Sequence, residues 1–238
     1  MVSSTGSTRW LRRARPLLGT LVDIGVPCGK PDDADAQLAI DAAFARVRRA
    51  QDCLSRFDAS SDIGRFHALR AGESIDVRPD TEDVLMVALE LHAGSGGVFD
   101  ISLGTAPRGW HCERGRLHKT DASVRLDLGG IGKGHAVDCA VQCLIEQGCE
   151  AGWVNAGGDL RSFGDVDVPV MLRDEAHGGV RPFASLRDGS FATSRGVAHT
   201  SVAAPLCIWA DALNKIVALT GDAHHPVLAR YEAQAWIH

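Results

Sequence analysis

Aromatic residues make up only 5% of the 238 positions, with a single tyrosine, Tyr231. A core built mainly on stacked rings is therefore excluded. No run approaches 18 consecutive apolar residues, so no membrane span is expected. Positive charge is not in excess: 25 Lys and Arg stand against 30 Asp and Glu, a net charge of −5. A duplex-binding domain ordinarily carries a basic face, so no nucleic-acid partner is expected. Cys-x-x-Cys spacing is missing, and the seven cysteines are an odd number. This argues against a disulfide framework and for reduced thiols in the cytoplasm. Cys139 and Cys143 stand one helical turn apart without a second pair at zinc spacing, and read as core residues. Arg12 and Arg13 are followed by Ala14, Arg15 and Pro16 rather than an apolar run, so no export signal is expected. The signatures G-x-S-x-G, H-E-x-x-H and the EF-hand loop are also missing.

Glycine, by contrast, is abundant: 26 residues, against a usual share of about 7%. It predicts tight turns and close backbone approaches. The length fits one large domain or two small ones. Arg9, Arg12, Arg13 and Arg15 all precede the first acid, Asp23, and predict a solvated basic arm over residues 1–15. Residues 16–238 are expected to form a single domain. Residues 17–26 read as a strand. Ile40, Phe44, Val47, Gln51 and Leu54 share one face of a long helix capped at Asp32 or Asp33. Residues 55–69 read as a polar loop and 74–77 as a short strand. Pro79 opens a second helix that the glycines at 94–97 stop. Residues 98–120 read as irregular, and 124–128 as a strand from the alternation of Val124 and Leu126. A third helix carries Val137, Val141, Leu144 and Ile145. Short strands follow to residue 205, then a fourth helix at 208–219 and a last strand at 232–237. Helices and strands are interleaved, but late strands run consecutively without helices between them, which predicts an α+β fold with mixed or antiparallel sheets and about four helices.

The densest chemical signal is residues 126–138, LDLGGIGKGHAVD. Glycines at a helix start let a ligand reach the backbone. The unpaired amides there favour an anion, typically phosphate, and Lys133 adds a positive charge. Neither known glycine code fits. A P-loop needs Gly where Asp127 stands and Ser or Thr where Gly134 stands, and G130-x-G132-x-G134 is not GxGxxG. VNAGGDL at 154–160 reads alone as a hairpin turn, ATSRG at 192–196 as a turn with two hydroxyls, and Asp211 as an acid near a helix start.

Seven segments in one order nevertheless resemble one family. They are PLLGT at 16–20, SRFDASSDIGR at 55–65, GVFDIS at 97–102, the glycine-rich run at 126–138, NAGGD at 155–159, ATS at 192–194 and ADAL at 210–213. This set is similar to the ApbE family of FAD:protein FMN transferases. The resemblance implies a two-lobed, T-fold-like α+β domain with FAD in a cleft. It implies FAD contacts from Leu18, Phe57, Val98, Phe99, Asp100, Gly129, Gly130, Lys133, His135, Asn155, Gly157, Thr193 and Ser194. It implies Mg²⁺ held by the backbone oxygens of Gly132 and Asn214 and by the Asp211 carboxylate. The implied reaction attaches FMN through a phosphoester to a Thr or Ser of an acceptor flavoprotein and releases AMP. Two departures bear on this. Lys215 stands where the family usually has a Thr metal ligand, so an ammonium replaces or displaces the ion. Only six residues separate Ser194 from Ser201, where the family carries a longer segment with its base. His199 and Lys215 are left as the candidate catalytic residues. FAD binding or FAD hydrolysis without protein flavinylation is the alternative reading.

Overall fold

The computed structural model describes residues 9–30, 33–173, 177–195 and 199–238. Seven antiparallel strands form the main sheet in the order β1-β2-β6-β7-β10-β11-β12. They are β1 Trp10–Leu17, β2 Thr20–Pro27, β6 Gly152–Ala156, β7 Asp159–Phe163, β10 Gly189–Arg195, β11 His199–Ala204 and β12 Gln234–Ile237. A small sheet joins β3 Ser74–Asp76, β5 Arg116–Lys119 and β4 Trp110–Glu113, and a ribbon pairs β8 Val168–Arg173 with β9 Val180–Leu186. The helices are α1 Ala34–Leu54, α2 Asp62–Ala68, α3 Pro79–Gly94, α4 Gly132–Glu146 and α5 Cys207–Thr220, with a 3-10 helix at Pro226–Tyr231. No helix among the described residues is long and apolar enough to cross a membrane.

Two apolar cores underlie the two lobes. One lies between α1, α4 and the strands β1, β2 and β6, with Ile24, Ile40, Phe44, Val137 and Leu144 at its centre. The other gathers α2, α3, the small sheet and α5 around Phe66, Leu85, Leu91, Leu117 and Ile216. The α+β class and antiparallel sheets agree with the pattern expected from the sequence.

Four local expectations need correction. Residues 10–15 are not a solvated arm but most of β1, in full register with β2. Their arginines face outward and find partners: Arg12 holds Asp23 and lies over the Trp153 ring, and Arg15 lies over Phe44. Residues 55–69 are not all loop, because Ser61 caps α2 by accepting from the Gly64 amide at 2.8 Å. Residues 110–119 form the β4–β5 hairpin, turned by Arg114 and Gly115 at φ 52° and 73°. Residues 124–128 form no strand. Val124, Leu126 and Leu128 are buried, yet the amides of Arg125, Leu126 and Asp127 bond singly to Thr105, His67 and Ile101.

Candidate active site

The glycine-rich run delivers α4 with an uncapped N-terminus: Ile131 at the cap offers no side-chain hydrogen bond. One first-turn amide is satisfied from another helix. The Gly134 N–H donates to Asp211 Oδ2 of α5 at 3.2 Å, and Asp211 is wholly buried. Lys133 lies 2.8 Å from Asp159 Oδ2 and 3.3 Å from Asp211 Oδ2. Lys215, one turn along α5, lies 3.4 Å from Asp211 Oδ1 and donates to Ser194 Oγ at 3.1 Å. Two carboxylates and two ammonium groups thus share one cluster. Burial, and then the Asp211 charge, raise the Asp159 carboxyl to about 6, against the pull of Lys133 and Lys215. Burial opposes the Lys133 charge, but Asp211 and Asp159 outweigh it and hold the ammonium above the usual lysine range.

The two helices are tied by Asp138. Its carboxylate accepts from the amides of Cys207 and Ile208 at 3.0 and 2.8 Å, capping α5 from α4. Arg161 neutralises it at 2.7 Å. Next to the cluster, Asn214 Oδ1 accepts from Thr200 Oγ1 at 2.6 Å, while its buried Nδ2 has no protein partner among the described residues.

Two cavities are lined by the elements that carry the cluster. One, of about 330 Å³, is lined by Leu18, Gln51, Phe57, Asp127, Gly129, Gly132 and Lys133. Phe57 is 84% exposed at this cavity, with the Arg56 guanidinium over its ring. That leaves the ring face opposite Arg56 available to a flat ligand. The other, of about 550 Å³, is lined by Asn155, Gly157, Leu160, Phe191, Thr193 and His199. Lys133 lines the first cavity and binds Asp159, whose β6–β7 hairpin turn lines the second.

The model of the ApbE family matches residues 18–120 and 107–198. The chain belongs to the ApbE family. It is 28% identical over 209 residues to the FAD:protein FMN transferase of Rhodobacter capsulatus, covering 73% of this chain and 39% of that one. It is 24% identical to the protein of the same name from Treponema pallidum, covering 76% of this chain and 63% of that one. The chain thus spans less than two thirds of the length of these curated relatives. Among solved structures, the ApbE protein of Thermotoga maritima superposes with a TM-score of 0.83 at 21% identity, covering 96% and 94% of the two chains. The Vibrio cholerae flavin transferase ApbE, as its H257G mutant, gives 0.82 at 20% identity over 96% and 93%.

The ApbE motifs are distributed unevenly in this fold. Leu18, Phe57, Gly129 and Lys133 meet in the smaller cavity with Gly132, and Asn155, Gly157, Thr193 and His199 meet in the larger. Asp211 and Ser194 meet at Lys215, whose stem lies against Gly130. Phe99 is buried beside Gly130, and Val98 packs against the larger core. Asp100 lines a third cavity, of about 660 Å³, and its carboxylate accepts from Ser102 and Gly104 within its own loop. His135 lines none of these cavities. Asp159 and Asp138 went unassigned in the sequence, since both depend on partners at least 23 residues away.

His135 belongs to a junction of α1, α3 and α4. Its Nε2 lies 3.3 Å from Asp80 Oδ1 and 3.4 Å from Cys139 Sγ. The three ligand-type atoms lie within 4.8 Å of one another, but Arg49 at 3.2 Å and Arg46 at 3.9 Å already neutralise Asp80 and oppose a metal ion. Burial lowers the His135 pKa, but the Asp80 and Cys139 hydrogen bonds prevail and raise it to about 9. The His135 hydrogen bond lowers Asp80 to about 2, with burial opposing. The two shifts express one ion pair and count once. A raised histidine stabilises fully below its unfolded pKa near 6.5 and loses that contribution as pH rises through about 9. Urea unfolding is expected to show a loss on the order of 2–3 kcal/mol from this pair between pH 6.5 and 9.5. His135→Gln should flatten that slope. An unchanged slope in the variant would remove His135 as its source.

Proposed function

We propose that the chain is an FAD:protein FMN transferase acting on a Thr or Ser of an acceptor flavoprotein. The observation that carries this is the Lys133–Asp159–Asp211–Lys215 cluster, whose Lys133 lines a cavity that presents an exposed aromatic ring, Phe57. Partly exposed ammonium groups at a glycine-rich helix start suit a pyrophosphate, and the two cavities joined through the Lys133–Asp159 pair suit the two halves of a dinucleotide. The acceptor hydroxyl oxygen attacks the flavin-side phosphorus. The new P–O bond makes the phosphoester, the bond to the bridging oxygen breaks, and its electron pair leaves on AMP. The hydroxyl proton goes to His199, which shares the larger cavity with Thr193 and Asn155. Seven free thiols suit a reducing compartment, and the reading is cytoplasmic.

The Mg²⁺ that the resemblance implies does not fit this donor set. Both Asp211 oxygens already face cationic or N–H groups: Lys215 at 3.4 Å on Oδ1, Lys133 at 3.3 Å and the Gly134 amide at 3.2 Å on Oδ2. The ammonium of Lys215 has no lone pair to offer an ion.

The test is incubation with FAD and a flavin-accepting protein encoded in the same genome. An FMN mass adduct on the acceptor and an equal amount of AMP are expected. His199→Gln should slow transfer by about 10²–10⁴ while keeping FAD affinity. No adduct, with an active relative working in parallel, would sink the proposal. One observation favours a second reading, FAD hydrolysis or binding alone. Arg195 pairs directly with His199 across β10–β11, so only residues 196–198, outside the described residues, connect the strands. That reading predicts FMN and AMP without any acceptor, or bound FAD left intact.

A further inference from the structure

We propose that Lys215 and Lys133 take the place of a divalent cation at the pyrophosphate, so that this chain binds and turns over its dinucleotide without metal. The inference rests on the FAD reading above for the identity of the ligand, and on the geometry for everything else.

Charge balance is the first support. Asp159 and Asp211 are buried, and each has an ammonium group within 3.4 Å. Two negative and two positive charges close the cluster without an ion. A divalent cation on Asp211 needs an oxygen at about 2.0–2.1 Å, where it would meet the like charges of both lysines around that same carboxylate.

A space made for the lysine is the second support. A Cβ at Gly130 would stand 3.2 Å from Lys215 Cγ, 3.7 Å from its Cε and 3.8 Å from the Phe99 ring. The Lys215 stem therefore lies directly on the glycine turn that opens α4, with its head between Asp211 and Ser194.

Exposure is the third. Both lysine side chains are 28% exposed while the acids beneath them are nearly closed off. The acids hold the ammonium groups in place, Lys133 lines the smaller cavity, and Lys215 keeps part of its surface open to solvent beside it. Lys215 donates one N–H to Ser194 and stands in ion-pair range of Asp211, and an ammonium carries three N–H groups, which leaves donor capacity for an anion. As the bond to AMP breaks, these fixed charges stabilise the phosphate oxygens that gain negative charge.

The experiment measures FAD affinity by flavin fluorescence in excess EDTA and in excess Mg²⁺. Mn²⁺ binding to the nucleotide-free protein is followed in parallel by electron paramagnetic resonance. For the wild type, chelation is expected to change FAD affinity by less than about threefold, and no Mn²⁺ site sensitive to Asp211→Asn should appear. Lys215→Thr should weaken FAD binding in EDTA by roughly 10–100-fold, the worth of one charge-assisted contact. Mg²⁺ should restore much of that loss, since a hydroxyl then faces Asp211. Lys215→Met should weaken binding equally in both conditions. A more than tenfold loss of wild-type FAD affinity in EDTA, or a wild-type Mn²⁺ site removed by Asp211→Asn, overturns the inference. The wild-type affinity measurement depends on no variant folding, and circular dichroism of Asp211→Asn checks that variant's fold before its Mn²⁺ result is read. EDTA-insensitive FAD binding without adduct or AMP would reject the transferase reading and the turnover part of this inference, and leave metal-free binding by the two lysines standing. If FAD does not bind at all, the Mn²⁺ result alone decides.

Discussion

Lys133→Met is expected to destabilise the protein by about 3–5 kcal/mol near pH 8, the usual cost of removing one partner from a buried ion pair. It should also remove measurable FAD binding. Methionine keeps the stem and deletes the charge that meets Asp159 at 2.8 Å and Asp211 at 3.3 Å. Lys215 still covers Asp211, so the burden falls on Asp159, which is buried beside another carboxylate. Its carboxyl already stands at about 6, above the ordinary value of 3.8. An acid raised in this way costs stability above its folded pKa, and the cost is relieved as pH falls through that pKa toward the unfolded value. Without Lys133 the raise grows, so the deficit of the variant should shrink between pH 8 and pH 5. Urea midpoints at the two pH values check this. A deficit of the same size at both would mean that the loss is one of packing rather than of a stranded carboxylate.

Much of the scaffold is legible wherever its cause is local. Asp33 caps α1 by accepting from the Ala36 amide, Pro79 opens α3, and Gly221 ends α5 at φ 66°. Elements whose partners lie far along the chain are not legible. Asp62 makes residues 55–69 look like a polar loop, but it is buried because Arg78 and Thr81, 16 and 19 residues on, bond its carboxylate. Residues 124–128 carry the alternation of a strand, yet each amide takes a different partner, so periodicity reports their burial and misreports their pairing. The site divides in the same way. The glycine run, Asp211 and Lys215 stand out as departures from background or from the family pattern. Asp159 reads as the flank of a hairpin, because what raises its importance is Lys133 from another element. Asp138 reads as one letter of a motif, although it holds α4 and α5 together.

That junction makes Gly134 the most constrained position in the glycine run. A Cβ there would stand 2.3 Å from the Cys207 carbonyl oxygen, 2.6 Å from its carbon and 2.7 Å from Ile208 Cα. The obstacle is backbone, so no side-chain rotation relieves it, and α4 must part from α5. Parting lengthens the Gly134–Asp211 bond and both bonds from Asp138 to the start of α5. Overpacking costs about 1–3 kcal/mol and each weakened hydrogen bond about 1 kcal/mol. Alanine returns about 1 kcal/mol through its helix preference. Gly134→Ala should therefore lose about 3–5 kcal/mol, and its α5 acid and lysine should move relative to Lys133. Gly132→Ala, two residues earlier in the same helix, supplies the contrast. Its Cβ would meet only Leu54 Cδ1 at 3.5 Å and Leu128 Cβ at 3.9 Å, so it should be neutral or slightly stabilising. Equal urea midpoints for the two variants would show that helix approach is not what reserves position 134 for glycine. A loss confined to Gly134→Ala would tie the spacing of α4 and α5, and with it the geometry of the charge cluster, to one missing side chain.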